Sequence, residues 1–371
     1  MQKRLPSKYN AIFQLLRKEI LSGKFAEQER FPSEEALARR FEVSRPTVER
    51  AIRELKRCGL LESRVGSGFY LTLMARNASG SIGLLMPDYQ KIDFFTTLGN
   101  EIARKCRDRG YSVLLGDISS SDPATRAKWS IELAKEYASK HVIGVIMEPV
   151  DLVDESIKAT KKALEILKAD GIPVVLIDRD IEQPPMRSSY DLIGIDNVQA
   201  GYRVARHLLD NGAKRLRFLT EPHPASTIRQ RIQGVAQAVI DAGGQWRKSH
   251  AIEIAPNDQK TLKELFNGKD RPDAVVCRND PLAARLIQVL NMLKVDIPKS
   301  VMIAGFDDAN FAQYLSPALT SIRQPIGLIA EAAVEELMNR IKFPCATPRS
   351  IQFDVELIIR SSTSASTVQS E

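Results

Sequence analysis

Cysteine is scarce in this chain of 371 residues. The four present, Cys58, Cys106, Cys277 and Cys345, form no Cys-x-x-Cys pair. Neither a disulfide framework nor a zinc knuckle is indicated, and a reducing compartment suits the chain. Histidine is as rare: His141, His207, His223 and His250 give no His-Glu-x-x-His or other metal-ligating spacing, and His207 sits in an amphipathic stretch that makes it structural. A Gly-x-Ser-x-Gly elbow and a Walker loop are both missing. No metal, cofactor or catalytic residue is therefore expected, and the chain does not read as an enzyme. No run of about 18 apolar residues occurs, so no membrane-spanning helix is expected. Lys3 and Arg4 precede a short apolar stretch, Ile12–Leu16, but Arg17, Lys18 and Glu19 end it too soon for a secretory signal. A cytoplasmic protein without membrane contact is the expectation. At 43% hydrophobic and 27% charged, the composition excludes wholesale disorder, and the length suggests two or three domains.

The net charge of +7 is unevenly placed. Residues 1–76 carry 16 Lys and Arg against 9 Asp and Glu, whereas the remaining 37 basic and 37 acidic residues cancel. A basic head on a neutral body points to a polyanionic partner for the head.

Within the head, Ile12, Leu15, Leu16 and Ile20 have helical spacing, with Gly23 as a stop. Ser33 has the place of an N-cap before a second helix, with Ala36, Leu37 and Phe41 inward. A third helix opens at Ser44. Its Val48, Ala51, Ile52 and Leu55 make one apolar face, so Arg45, Glu49, Arg50 and Arg53 point away from the core, while Pro46 is tolerated in the first turn. Residues 60–71 read as two short strands around Gly66-Ser67-Gly68. Three helices and a hairpin make a winged helix-turn-helix. The helix from Ser44 suits the major groove of double-stranded DNA, and the glycine turn lets backbone approach the duplex. Ser33, Ser44, Arg45, Thr47, Glu49, Arg50, Arg53, Gly66, Ser67 and Gly68 are the candidate DNA-binding residues. As a phosphate loop the glycine turn is weak, since a third glycine and a following helix are missing.

After 73–81, a stretch of small polar residues with the character of a linker, strand-like and helical segments alternate up to residue 363. The strand-like runs are 82–86, 112–115, 142–147, 174–177, 192–195, 216–219, 274–277 and 301–304. Such alternation predicts an α/β body of parallel sheets flanked by helices, and its length suits two similar lobes. The expected domains are 1–72, a linker over 73–81, a two-lobed body over 82–363 and a disordered tail over 364–371. In open parallel sheets, ligands bind beyond the carboxyl ends of the strands. The polar residues there are Asp88, Glu148, Asp178, Arg179, Asn279 and Asp307, with Arg229 opening a helix after another strand. Carboxylates that accept from adjacent hydroxyls, beside guanidiniums that donate, suit a hydroxyl-rich neutral ligand. Phe94 and Phe95 supply either an apolar wall for a sugar ring or part of the core. A strand-end Asp or Asn serves as readily as a helix cap. Residues 151–168 read as a solvated helix.

Two resemblances sharpen this reading. Residues 9–72 resemble the GntR-family DNA-binding domain through Phe31-Pro32-Ser33-Glu34, Val43-Ser44-Arg45-Pro46-Thr47-Val48, Gly59-Leu60-Leu61 and Gly66-Ser67-Gly68. Where that family usually has Arg after Thr-Val, this chain has Glu49. A carboxylate can accept from cytosine N4, or Glu49 can pair with Arg45 or Arg53. Residues 81–363 resemble the LacI-type sensor, itself similar to periplasmic sugar-binding proteins, through Gly171–Arg179, Arg229-x-Arg231-x-x-Gly234, Arg278-Asn279-Asp280 and Gly305-Phe306-Asp307-Asp308. The resemblance implies effector contacts at Arg229, Asn279 and Asp307 and a cleft position for Asp178. The hinge-helix sequence of that family is not evident in 73–81. The combination is similar to arabinose-repressor-like hybrids and implies a homodimeric DNA-binding repressor controlled by a small effector, a sugar or sugar derivative. Two rival readings use the same β-α alternation. An NAD-dependent oxidoreductase would need Gly-x-Gly-x-x-Gly after the 82–86 strand, where Pro87-Asp88-Tyr89-Gln90 stands, and a solute-binding protein would need export.

Overall fold

The computed structural model describes every residue except 1–7, 22–23, 26–29, 58, 65, 73–79, 88, 90–92, 119, 121, 141, 151–153, 256–257, 269 and 365–371. The expected stop at Gly23, most of the expected linker, the strand-end Asp88 and nearly all of the expected tail lie outside the described residues.

The head comprises α1 (Lys8–Leu21), α2 (Glu34–Phe41), α3 (Arg45–Arg57), β1 (Leu61–Arg64) and β2 (Gly68–Leu71). Ile12, Leu16 and Ile20 form the buried stripe of α1, joined by Phe13. Leu15, expected on that stripe, is 45% exposed because it lies about a sixth of a turn beyond Ile12, on the side away from Leu16, Ile20 and Phe13. Ser33 caps α2 by accepting from the Ala36 N–H at 3.2 Å. Ala36 itself is exposed, and Leu37 carries the burial. Helix α3 buries Val48, Ala51, Ile52 and Leu55, as its spacing predicts. It ends where the Leu60 N–H donates to the Leu55 carbonyl and the Gly59 N–H to that of Lys56, with Gly59 at φ 68°. A left-handed residue closes a helix in this way, and glycine does so without a Cβ penalty. Strands β1 and β2 pair antiparallel from Leu61↔Leu71 to Arg64↔Gly68, and the Phe31 N–H donates to the Phe69 carbonyl, fixing the wing to the start of α2.

The body alternates strand and helix. Its first lobe carries β3 (Ser81–Met86), α4 (Asp93–Asp108), β4 (Ser112–Asp117), α5 (Pro123–Ser139), β5 (Gly144–Met147), α6 (Asp154–Ala169), β6 (Val174–Ile177) and β7 (Asp191–Ile195). The second carries α7 (Asn197–Asp210), β8 (Leu216–Thr220), α8 (Ser226–Asp241), β9 (Ala251–Glu253), α9 (Gln259–Asn267), β10 (Ala274–Cys277), α10 (Asp280–Met292), β11 (Met302–Phe306) and β12 (Thr320–Arg323). The chain then returns to the first lobe with α11 (Ile326–Lys342) and β13 (Ser350–Phe353), and ends in the second with β14 (Glu356–Ile358). Among the described residues each lobe has a six-stranded sheet, ordered β13-β7-β6-β5-β3-β4 and β14-β12-β11-β10-β8-β9. All pairings are parallel except that of β14 with β12. The two orders correspond strand for strand, so the lobes repeat one topology except at the last strand, where β13 is parallel to β7 and β14 antiparallel to β12.

Every residue of β5, β6, β10 and β11 is buried, as strands covered on both faces require. Each fully buried Val, Leu or Ile in them stabilises the fold by about 1.5–3 kcal/mol relative to exposure. Helix α6 departs from expectation. Instead of a solvated helix it buries Ala163, Leu164 and Leu167 in the cluster that also holds Tyr137 and Ala134 of α5, because those three positions share one face. Helices α7 and α8 touch through two glycines: a methyl group on Gly201 would overlap the Arg231 carbonyl oxygen, and one on Gly234 that of Val198.

Candidate functional site

The head presents one outward face of α3. Arg45, Glu49 and Arg53 follow each other at four-residue spacing, and all three are exposed. Arg45 pairs with Glu34 of α2 at 3.1 Å, and Glu49 with Arg53 at 3.0 Å. Of the two partners foreseen for Glu49, the structure selects Arg53. Arg50 lies over the Tyr9 ring of α1, 3.9 Å from its centroid, which holds a long cation at the surface. At the start of α3, the Ser44 and Thr47 hydroxyls lie 2.9 Å apart and the Thr47 N–H donates to the Ser44 carbonyl. In the wing, Gly66 and Gly68 take φ of 71° and 99°, the region that side chains with a Cβ rarely adopt. A methyl group on Gly68 would also strike the Arg30 guanidinium, whereas one on Gly66 would meet nothing. Ser67 Oγ bonds Tyr70 OH, and Arg64 stacks 4.3 Å over the Tyr70 ring.

In the body, the polar groups gather at the carboxyl ends of the strands. At the end of β5 the buried Glu148 meets Arg179 Nη2 at 2.8 Å, and Asp178, after β6, meets the same nitrogen at 2.7 Å. Asp178 holds φ 66°. Across from this cluster, Asp307 follows β11 at φ 96° and accepts from Gln324 Nε2 at 2.8 Å. Arg231 of α8 approaches Asp307 Oδ1 to 3.9 Å, donates through Nε to Asn197 Oδ1 at 2.9 Å and through Nη1 to the Arg278 carbonyl at 2.8 Å. Burial pushes the Asp307 carboxyl up, and the Arg231 charge beside it works the other way. Burial likewise lowers the Arg231 guanidinium, with Asp307 and Asp178 opposing. Asp178 and Arg179 thus act electrostatically on a residue of the other lobe. A cavity of about 210 Å³ lies here, lined from the first lobe by Asp178, Arg179 and Asp180 and from the second by Asn197, Ser226 and Gln230. A larger cavity of about 310 Å³, beside Arg340 and Asp191, opens at the amino ends of β6 and β7, away from this crevice.

Comparison with known proteins agrees with both halves. Residues 8–71 match the bacterial regulatory proteins of the gntR family, and residues 205–363 match the periplasmic binding protein-like domain. The chain is a gntR-type head on a periplasmic-binding-protein-like body. The Arabinose metabolism transcriptional repressor of Geobacillus stearothermophilus is 27% identical over 98% of this chain and 99% of its own length. The HTH-type transcriptional repressor PurR of Photobacterium profundum is 28% identical over 77% of this chain and 82% of its own length. A solved LacI family transcriptional regulator from Enterococcus faecium, with bound ribose, superposes with a TM-score of 0.63 at 25% identity, covering 76% of this chain and 98% of that one. This chain is a DNA-binding regulator of transcription.

The regulator distributes its expected effector residues unevenly. Glu148, Asp178, Arg179 and Asp307 come together in and around the crevice. Arg229 is exposed, donating to the Pro224 carbonyl and, across to the first lobe, to Gln183 Oε1. The buried guanidinium beside Asp307 belongs to Arg231, two residues on. The spacing Arg231-x-x-Gly234 on one helix face is the available signal, since Gly234 lets α8 approach α7 and so brings Arg231 to Asn197. Asn279 caps α10 by accepting from the Leu282 N–H at 3.2 Å, and the adjacent Asp280 is wholly buried. Phe94 and Phe95 start α4 and are 5% and 6% exposed, packed edge to face at 5.1 Å in the core cluster. That is the core alternative, because α4 begins at Asp93 and buries both rings together with Leu98. No helix of the described residues is long and apolar enough to cross a membrane.

Proposed function

We propose that this regulator represses transcription from an operator and releases it when a sugar or sugar derivative occupies the crevice between the lobes. The observation that carries the proposal is the convergence of Asp178 and Arg179 from one lobe and Asn197, Ser226 and Gln230 from the other on one cavity, with the Arg231–Asp307 pair joined to it through Asn197, in a chain whose head is basic. Each of these guanidiniums already has a carboxylate neighbour, Arg179 with Glu148 and Asp178, Arg231 with Asp307. Charges so balanced favour a neutral, hydroxyl-rich guest over an anionic one. The ribose bound by the Enterococcus faecium regulator is of that chemistry.

In the head, α3 lies in the major groove, Arg45, Arg50 and Arg53 meet phosphates or base edges, and the Gly66–Gly68 turn meets the flanking backbone. Two chains pair through their bodies and read two half-sites of a pseudo-palindrome. The head spans 1–72, a linker 73–81 and the sensor 82–363. The protein works in the cytoplasm without membrane contact, metal or cofactor, and is not an enzyme. A guest that binds both lobes shifts the operator-binding equilibrium only by its differential affinity for the two forms, typically about 1–3 kcal/mol. The test is a thermal-shift screen against monosaccharides, sugar acids and purines, followed by gel-shift titration of operator with each hit. A neutral sugar that stabilises the protein and loosens the operator supports the proposal. Operator affinity indifferent to every bound ligand refutes it.

A further inference from the structure

The outward stripe of α3 reads Arg45, Glu49, Arg53, with an acid at its centre. Arg45 pairs with Glu34 of α2, so Glu49 is left with Arg53, whose Nη2 engages Oε1 at 3.0 Å. The Glu49 side chain is still 53% exposed, and a carboxylate has about four acceptor sites, so capacity to accept remains. On a surface otherwise charged to meet phosphate, a half-open carboxylate weakens binding to every duplex alike unless a donor meets it. The major groove offers two such base donors. Adenine N6 is flanked by the N7 acceptor, which repels a carboxylate, whereas cytosine N4 has no adjoining acceptor on its own base edge.

We propose that Glu49 is a specificity-determining residue that accepts a hydrogen bond from a cytosine N4 amine in each half-site, with Arg53 as the positioning residue that holds the carboxylate. This rests on the reading that α3 lies in the major groove. An exposed ion pair at four-residue spacing adds little to stability, so Glu49→Ala and Glu49→Gln keep the fold.

The experiment uses the full chain and each variant to select duplexes from a pool randomised across the half-site. Fluorescence titration of the winners and their single-base changes then measures the preferences. Wild type should hold one position as cytosine, with replacement costing roughly five- to a hundred-fold in affinity. Glu49→Ala should lose that preference alone and bind random duplex at least as tightly as wild type. Glu49→Gln should turn the position towards adenine, whose N6 and N7 match an amide. Identical base preferences in wild type and Glu49→Ala, or one uniform change in affinity for all duplexes, would reduce Glu49 to an ion-pair partner. A wild-type chain that binds no duplex would instead overturn the groove reading on which the assignment stands.

Discussion

Arg231 lies over the Phe306 ring, 4.3 Å from its centroid, while its Nη2 faces Asp307 Oδ1 at 3.9 Å. The guanidinium is therefore fixed on its face by an aromatic ring and on its edges by Asn197, the Arg278 carbonyl and Asp307. Removing it leaves Asp307 buried without that neighbour, which costs about 3 kcal/mol for a buried pair. Arg231→Ala is expected to abolish the sugar response and lower stability, with operator binding kept. Chemical denaturation and a gel shift with and without the ligand check it, and an unchanged response would take Arg231 out of the site.

Arg229 acts differently, because it is exposed and reaches Gln183 of the opposite lobe. Arg229→Ala is expected to weaken sugar binding only several-fold, by loosening the contact across the mouth of the crevice, with stability almost unchanged. Calorimetric titration of both variants separates them. Equal losses for Arg229→Ala and Arg231→Ala would contradict this difference in roles.

Gly234→Ala places a methyl group against the Val198 carbonyl oxygen and forces α8 away from α7. Overpacking of this kind costs typically about 1–3 kcal/mol. The displaced helix carries Arg231 off Asn197, so the variant should lose both thermal stability and ligand affinity. Full affinity in a destabilised Gly234→Ala protein would show that the helix contact does not position Arg231.

In the head, Arg45→Ala is expected to weaken operator binding and to reduce the slope of log affinity against log salt by about 0.9, the share of one phosphate contact. Titrations at several salt concentrations measure it, and an unaltered slope would exclude a phosphate contact. Gly68→Ala should impair the wing more than Gly66→Ala as read by thermal unfolding, since φ 99° at Gly68 lies farther than φ 71° at Gly66 from the left-handed well at about +57°, while the exposed Arg30 guanidinium can swing aside.

Asp280 is fully buried, and burial raises its carboxyl well above the ordinary 3.8, although Ser321 Oγ and the Ala309 N–H both donate to it at 2.7 Å. With the folded value above the unfolded one, the native state binds the extra proton. Its contribution is present in full below the unfolded value and is lost as pH rises from about 3.8 through the folded value. Relative to wild type, Asp280→Asn should therefore gain stability as pH rises above about 4. A stability difference that stays flat between mildly acidic and neutral pH would contradict this.

Much of the site is legible in the chain because its signals are local. Ser33 as a cap and the buried face Val48–Leu55 both depend on neighbours within a few residues, and helical periodicity reveals them. Strand-end Glu148, Asp178 and Asp307 follow from the rule that polar residues succeed apolar strands in parallel sheets. Arg229 and Arg231 cannot be ranked that way, since both fall in one turn of α8 and only its packing on α7 buries one and exposes the other. Phe94 and Phe95 are ambiguous for a similar reason: two adjacent aromatics at a helix start suit a wall or a core equally until the helix is placed.

By itself, the order of residues determined the basic winged head, the parallel α/β body and the polar strand ends, because charge, periodicity and capping act over short stretches of chain. Tertiary structure alone decided which guanidinium meets Asp307 and that α6 packs rather than floats. Those outcomes rest on contacts between segments far apart in the chain, where burial selects among residues that locally look alike.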